Sequence, residues 1–432
     1  MSKRKMKDSG VEWLGEIPAE WDVGRVKNDF CATKEIAGAK ADSYQRLALT
    51  LSGVVMRSKE DAGGLQPEEF EGYQVLRKNE LVFKLIDLQN VKTSRVGRSP
   101  FEIGIVSPAY IVLRHRHGAD TRYAEYFFLS MWMHEVFNTM GDDAVRSCLN
   151  RTDLLNIPFL MPSENEQRKI AAYLDGRCAK IDEMVSDAKK TIEEYKAWKA
   201  SVIFESVTGK NTGAKMKDSG VDWIGMVPSG WEIVPLRRLG SCVNGISKGG
   251  EFFGSGYPFV SYSDVYKNDW LPASVKGLVE STPEERKHYS VREGDVFFTR
   301  TSETVDELGM AGACLKTIPD AVFAGFLIRF RPDTTELAVE YYKYYFRNVS
   351  LRNFFTKETM LVTRASLSQD LLRSMMVVVP PRSEQIAIAR FLDKKCAAID
   401  RVISEKESLI ADLESYKKSL IFECVTGKME VA

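Results

Sequence analysis

The residues able to do chemistry are few, and their spacing suits none of the common reaction centres. Phe252-Phe253-Gly254-Ser255-Gly256 matches FxGxG, a pattern of S-adenosylmethionine-binding methyltransferases. It stands in a glycine-rich stretch, Gly245 to Gly256, that reads as a loop, and no Asn/Asp-Pro-Pro-aromatic motif accompanies it anywhere in the chain. Gly209-Lys210 and Gly427-Lys428 lack the upstream glycine and following Ser/Thr of a phosphate-cradling loop. They read instead as helix ends, a glycine stop with a lysine against the dipole. Pro319-Asp320 and Pro332-Asp333 are not closely followed by the acid-x-Lys of a metal-dependent nuclease. His115 and His117 share one face of an expected strand, but no third ligand stands near, so solvated surface histidines are a simpler reading than zinc. The chain is expected to be non-catalytic.

The elements around these residues are set by a repeat. Met6 to Trp21 (MKDSGVEWLGEIPAEW) and Met216 to Trp231 (MKDSGVDWIGMVPSGW) agree at ten of sixteen positions, at an offset of 210. Glu166–Lys210 aligns without a gap on Glu384–Lys428, at an offset of 218, and both end in VTGK. The 432 residues are two halves in tandem. Between the matched blocks only echoes survive: Leu81-Val82-Phe83 answers Val296-Phe297-Phe298, and Arg146 and Leu149 answer Arg364 and Leu367. The variable regions, about 22–160 and 232–380, share a fold but little sequence. Short runs rich in β-branched and aromatic residues, such as Ile111–Leu113 and Phe326–Ile328, read as strands. Tyr123–Phe137 and Val339–Phe355 read as aromatic helices, so each region is α/β.

The matched C-terminal blocks predict long helices, with Ser163 and Ser383 as N-caps. Ala171, Cys178, Val185, Ile192 and Lys199 recur every seventh residue, with Leu174, Ile181, Ala188, Tyr195 and Val202 as the companion series. These are the a and d positions of a coiled coil, and adding 218 preserves the phase in the second half. The two cysteines at matched a positions, Cys178 and Cys396, therefore read as core. The organisation expected is a first α/β domain over 1–161, a long helix over 162–210, a linker with a second α/β domain over 211–380, and a second long helix with a tail over 381–432.

Composition excludes several classes. The chain is 44% hydrophobic, too apolar for disorder, and 60 basic residues balance 60 acidic ones, which excludes a polycationic coat. No apolar run reaches the ~18–20 residues of a membrane crossing, and no apolar stretch follows the basic N-terminus as in a secretory signal. Seven scattered cysteines without CxxC suit a reduced, cytoplasmic protein.

The blocks Gly10-Val-Glu-Trp13-Leu-Gly15…Pro18…Trp21 and Gly220-Val-Asp-Trp223-Ile-Gly225…Pro228…Trp231 resemble a G-x-x-W-x-G-x-x-P-x-x-W motif. Pro162-Ser-Glu-Asn-Glu166-Gln167…Ile170 and Pro381-Arg-Ser-Glu384-Gln385…Ile388 resemble a P-x-x-E-Q-x-x-I helix start. In this order, twice over, they resemble the specificity subunit of type I restriction–modification enzymes across the full chain. The resemblance implies two target recognition domains, each reading one half of a split double-stranded DNA site. It implies that the long helices form an antiparallel coiled coil that holds the domains apart in pseudo-two-fold symmetry. It further implies that methyltransferase subunits, two by symmetry, and restriction subunits dock on this chain. S-adenosylmethionine, ATP and magnesium would belong to those partners, with no cofactor in this chain.

Charge lends the DNA reading no support, since residues 22–161 carry eighteen charges of each sign and 232–382 nineteen positive and eighteen negative. Contact candidates follow from loops beside the expected strands: Lys84, Lys92, Arg95, Arg98 and Arg146 in the first domain, and Lys248, Tyr262, Thr299, Arg300, Ser302 and Arg364 in the second. For each of these, solvated surface charge or polarity is an equally good reading. Two other functions stay open on sequence. One is a coiled-coil scaffold whose variable domains bind proteins, and the other is a self-sufficient modification enzyme using the FxGxG segment.

Overall fold

In the computed structural model the described residues are 4–60, 69–88, 96–116, 118–140, 148–268, 270–301, 308–348, 354–355 and 366–431. They form two compact units. Unit 1 comprises Met1–Lys189 with Glu407–Ala432, and unit 2 comprises Lys190–Lys406.

In unit 1 the first tryptophan motif makes an antiparallel hairpin, Met6–Asp8 with Glu16–Pro18. The variable region then builds a four-stranded antiparallel sheet from β1 (Phe30–Thr33), β2 (Leu81–Phe83), β3 (Val96–Arg98) and β4 (Ile111–His115), in the order β1-β4-β2-β3. Helix α1 (Thr121–Met133) packs its aromatic face on this sheet, with Phe128 edge-on to Phe83 at 4.9 Å. The Asp120 side chain caps α1 by accepting from the amides of Arg122 and Tyr123. The expected helix to Phe137 stops early because Glu135 takes a left-handed backbone (φ 57°), and a separate turn, Val136–Thr139, follows.

Unit 2 repeats this plan. Its hairpin is Met216–Asp218 with Met226–Pro228, and its sheet runs β5-β8-β6-β7 from β5 (Gly240–Asn244), β6 (Val296–Thr299), β7 (Ala311–Ala313) and β8 (Leu327–Pro332). The strand expected at Phe326 begins one residue later. Where the units differ is beside the sheet. Unit 1 adds the pairs Leu47–Thr50 with Gly53–Met56 and Gln74–Arg77 with Ile103–Val106, whereas unit 2 adds Phe253–Val260 between Leu278–Val279 and Val322–Phe323. The FxGxG segment is therefore mostly strand and not loop, with Gly254 and Gly256 at positive φ where the pairing shifts register.

The long helices are α2 (Glu164–Val207) and α4 (Arg382–Val425), each 44 residues; between them in sequence lies the short α3 (Val339–Arg347). At 1.5 Å per residue a 44-residue helix is about 66 Å long. The heptad positions Ala171, Leu174, Cys178, Ile181, Val185 and Ala188 are buried, as are Ala389, Leu392, Cys396 and Ile399. Within unit 1 the first part of α2 runs antiparallel to the last part of α4, tied by Lys417–Asp182 (2.6 Å) and Lys189–Glu414 (3.8 Å). Within unit 2 the last part of α2 lies on the first part of α4, tied by Lys199–Asp400 (2.7 Å). Ser163 caps α2, its hydroxyl accepting from the Glu166 amide at 3.3 Å. Ser383 does not cap α4. That helix begins at Arg382, and the Pro381 carbonyl accepts the first amides, from Glu384 and Gln385. Helix α3, expected to reach Phe355, ends at Arg347, where Asn348 is already extended.

The repeated motifs are the joints of this fold. The Trp21 indole N–H donates to Glu166 (3.0 Å), and that of Trp231 to Glu384 (2.9 Å). Buried Gln385 accepts from the Ala338 amide at the α3 start and donates to the carbonyls of Pro380 and Glu336; Gln167 does the same for Asp120, Pro162 and Gly118. Tyr123 donates to the Val425 and Leu160 carbonyls, and Tyr341 to those of Val207 and Val378. Both VTGK segments end their helices through a left-handed glycine, Gly209 (φ 73°) and Gly427 (φ 70°), with the next residues bonding back to the last turn. Each glycine also lies flat on a tryptophan motif. A Cβ on Gly209 would overlap Pro228 and Trp231, and one on Gly427 would overlap Pro18.

Candidate nucleic-acid interface

Antiparallel register brings several loops to one end of each sheet. In unit 2, β5 ends at Asn244 opposite Ile328, β6 ends at Thr299 opposite Leu327, and β7 begins at Ala311 opposite Phe298. The loops after Asn244, after Thr299 and before Leu327 therefore emerge together. The segment before Leu367 joins them, since the Leu367 amide donates to the Arg300 carbonyl (2.7 Å) and Thr301 bridges Ser366. In unit 1, β1 ends opposite Val112, β2 ends opposite Ile111, and β3 begins opposite Phe83. There the Leu149 amide donates to the Leu85 carbonyl (2.9 Å), the counterpart of the Leu367 bond.

This end gathers part of the expected contact set. Lys84 follows β2 directly and is half-buried. Arg300 follows β6, is also half-buried, and reaches the Gly325 carbonyl with its guanidinium (3.4 Å). Lys248 lies in the loop after β5, paired with Glu285 at 2.8 Å and set over the Phe252 ring. Tyr262 opens a short helix and stacks on Tyr266, packed against the core beside the sheet. Two expectations are corrected. Thr299 is fully buried and its hydroxyl accepts from the Met310 amide (2.8 Å), because the last residue of a four-residue central strand faces inward. Arg98 sits at the opposite strand end, opposite Leu81, where Glu125 (3.2 Å) and Asn79 hold it. Lys92, Arg95, Arg146, Ser302, Arg364 and His117 lie outside the described residues. His115 packs edge-on against Phe30 at 6.0 Å.

The far end of each sheet carries a buried acid–arginine couple that sequence reasoning passed over. Glu80 pairs with Arg114 (2.6 Å), and Asp295 takes two bonds from Arg331 (2.6 and 2.7 Å). Beside the second couple, burial and then the Arg331 charge bring Arg329 down to about 10, and Ser290 and His288 carbonyls accept its protons. Glu80 and Asp295 stand at matched places before β2 and β6, so the offset of 215 was their only sequence signal.

Each unit also holds a cleft between its aromatic helix and its long helices. In unit 2 it measures about 630 Å³, and Trp270, Lys343, Tyr344, Asp393, Cys396 and Asp400 are among its lining. In unit 1 it measures about 290 Å³, with Arg122, Tyr126, Asp175, Cys178, Asp182 and Lys417 in corresponding places. The Tyr344 hydroxyl donates to Asp393 (2.6 Å), as Tyr126 does to Asp175 (2.8 Å). Burial pushes both phenols up. Burial alone would raise Asp393, but hydrogen bonds from Lys343 and Tyr344 hold its carboxyl below the usual range.

Residues 228–409, which carry the end of the second motif, the second sheet and the second helix start, match the profile of the type I restriction modification DNA specificity domain. Over that stretch the chain is similar to type I restriction–modification specificity subunits. It is 24% identical over 282 residues to the EcoKI specificity subunit of Escherichia coli K12, a stretch covering 64% of this chain and 58% of that one. A protein of Methanocaldococcus jannaschii named as the MjaX type I restriction enzyme specificity subunit is 23% identical over 439 residues, covering 97% of this chain and 96% of its own. The fold matches that of a solved chain described under complex assembly and conformational transition of the type I R-M system, with a TM-score of 0.71 at 15% identity, covering 96% and 99%. It also matches the HsdS subunit from Thermoanaerobacter tengcongensis, with a TM-score of 0.50 at 16% identity, covering 96% and 98%. At these identities the structural likeness establishes the fold. Among the described residues, no helix is long and apolar enough to cross a membrane.

Proposed function

We propose that this chain is a type I specificity subunit that reads a bipartite, asymmetric DNA target, one half-site per unit, and directs methylation and restriction carried out by partner subunits in the cytoplasm. The observation that carries the reading is a constant frame with unlike ends. The sheets share order and register while the strands and loops beside them differ. A frame repeated twice with two different surfaces suits two different half-sites. Chemistry, with S-adenosylmethionine, ATP and magnesium, belongs to the partners. Sequencing the methylome of the host with the gene present and deleted tests this: a split motif with two unlike halves should vanish on deletion. A methylome that does not change overturns it.

The matched surfaces support docking of two copies of one methyltransferase. Both clefts repeat the same tyrosine–carboxylate–cysteine–lysine set, and exposed Trp198 and Tyr416 occupy equivalent places at an offset of 218. Large aromatics at a contact centre are worth ~2 kcal/mol or more, so W198A should weaken one copy by about thirtyfold. Native mass spectrometry should then show one methyltransferase per chain for W198A and none for W198A/Y416A at matched concentration. Two copies retained in both variants would place the docking elsewhere.

A further inference from the structure

Among the described residues of unit 2, the most exposed aromatic side chain is Phe326, 63% accessible at the tip of the turn before β8. Such exposure usually marks a mobile loop, but here the backbone is pinned. The Gly325 amide donates to Ile246 (2.8 Å), Leu327 to Ala324 (2.9 Å), Ala324 to Val260 (3.0 Å), and Arg300 to the Phe326 carbonyl itself (2.9 Å). Gly245 allows the neighbouring loop to close on this turn, because the Ala324 carbonyl fills the space a Cβ would need. The ring is thus held outward by a rigid turn, in the middle of the sheet-end loops, with Arg300 beside it and Ser247 against Gly325. An apolar group fixed in water costs solvation free energy, which a ligand at that place would recover.

We propose that Phe326 is a specificity-determining contact, packing on the 5-methyl group of one thymine in the major groove of the half-site read by unit 2. The inference rests on the DNA-reading function proposed above. A phenyl ring offers no hydrogen bond, and the thymine methyl is the one apolar group that base edges present in the major groove. Register sets Ile111 opposite Phe83 as it sets Ile328 opposite Phe298, so the unit 1 counterpart of Phe326, two residues earlier in the chain, is Ala109, which carries no ring. The contact therefore belongs to one half-site only.

The test uses the full chain assembled with its methyltransferase and a randomised DNA library. Wild type should select a T·A pair at one position of one half-site, and F326A should lose that preference while keeping every other. F326L, which preserves an apolar tip, should keep part of it. Replacing that thymine with deoxyuridine removes the methyl alone. It should weaken wild type by about fourfold, the worth of burying one methyl-sized group, and leave F326A unaffected. An unchanged selection by F326A overturns the proposal, as does an equal loss on all sequences, which is the mark of a wedge or of a structural role. Wild type that selects no sequence at all overturns the DNA-reading function instead, and this inference with it.

Discussion

At the scale of residues, the recurring motif letters turn out to be structural fasteners. Trp21 and Trp231 each bury an indole and spend its one N–H on the glutamate of the P-x-x-E-Q run, so loss of either partner leaves a buried polar atom unpaired. The glycines of VTGK are constrained twice, by a left-handed backbone and by contact with proline and tryptophan. Alanine at Gly209 or Gly427 costs ~1–2 kcal/mol for the backbone alone. Displacement of the packed rings adds to that. G427A and G209A should therefore lower the urea midpoint without changing the slope of unfolding. A midpoint equal to wild type would show that the close approach of helix end and motif is dispensable. The repeated identity made these residues legible in sequence, but their role as fasteners was not.

At the scale of elements, each aromatic helix is locked to its long helix by one buried glutamine. Q385A would leave the Ala338 amide and the Pro380 and Glu336 carbonyls without that partner, at ~1–3 kcal/mol for each buried group that water cannot reach. The melting temperature should fall, with hydrogen exchange faster in α3 than in β5–β8. A uniform rise in exchange would mean that the glutamine supports the whole unit. The clasp between α3 and α4 also predicts a pH dependence. The folded Asp393 carboxyl titrates below its ordinary value of 3.8, so its contribution is complete above that value and is lost as pH falls through the lower folded one. D393N should flatten that acid limb of the stability curve, as followed by denaturation from pH 5 to pH 2. An unchanged limb would assign the acid sensitivity to other carboxylates.

At the scale of the molecule, unit 1 is assembled from both ends of the chain. Lys210 to Met216 connects a helix end to a tryptophan motif in unit 2, whereas in unit 1 the same junction forms between Gly427 and Pro18 with no covalent link. A circular permutant should therefore fold. Its original termini would be joined by a short flexible linker, and the chain opened within the exposed segment Asn211–Lys215. Its unfolding midpoint should lie within a few tenths of a molar in urea of wild type, and the modified target should be the same. Aggregation or a lost target would show that the Lys210–Met216 connection does more than join the elements.

The sequence alone determined the tandem order, the heptad phase of the long helices, the α/β character of the variable regions and the helix-ending role of the VTGK glycines. All of these are local or periodic, so chain neighbours carry the signal. Tertiary structure decided the rest. Thr299 read as a loop contact and Phe326 as a strand residue, yet strand register turned the first inward against Met310 and a hydrogen-bonded turn pushed the second into solvent. Arg98 lay in a basic stretch, but strand pairing carried it to the opposite sheet end and into an ion pair with Glu125. That the second long helix ends on the first tryptophan motif follows from a contact between Gly427 and Pro18, 427 − 18 = 409 positions apart. Pairings at that separation are chosen by packing between distant segments, which no window of sequence contains.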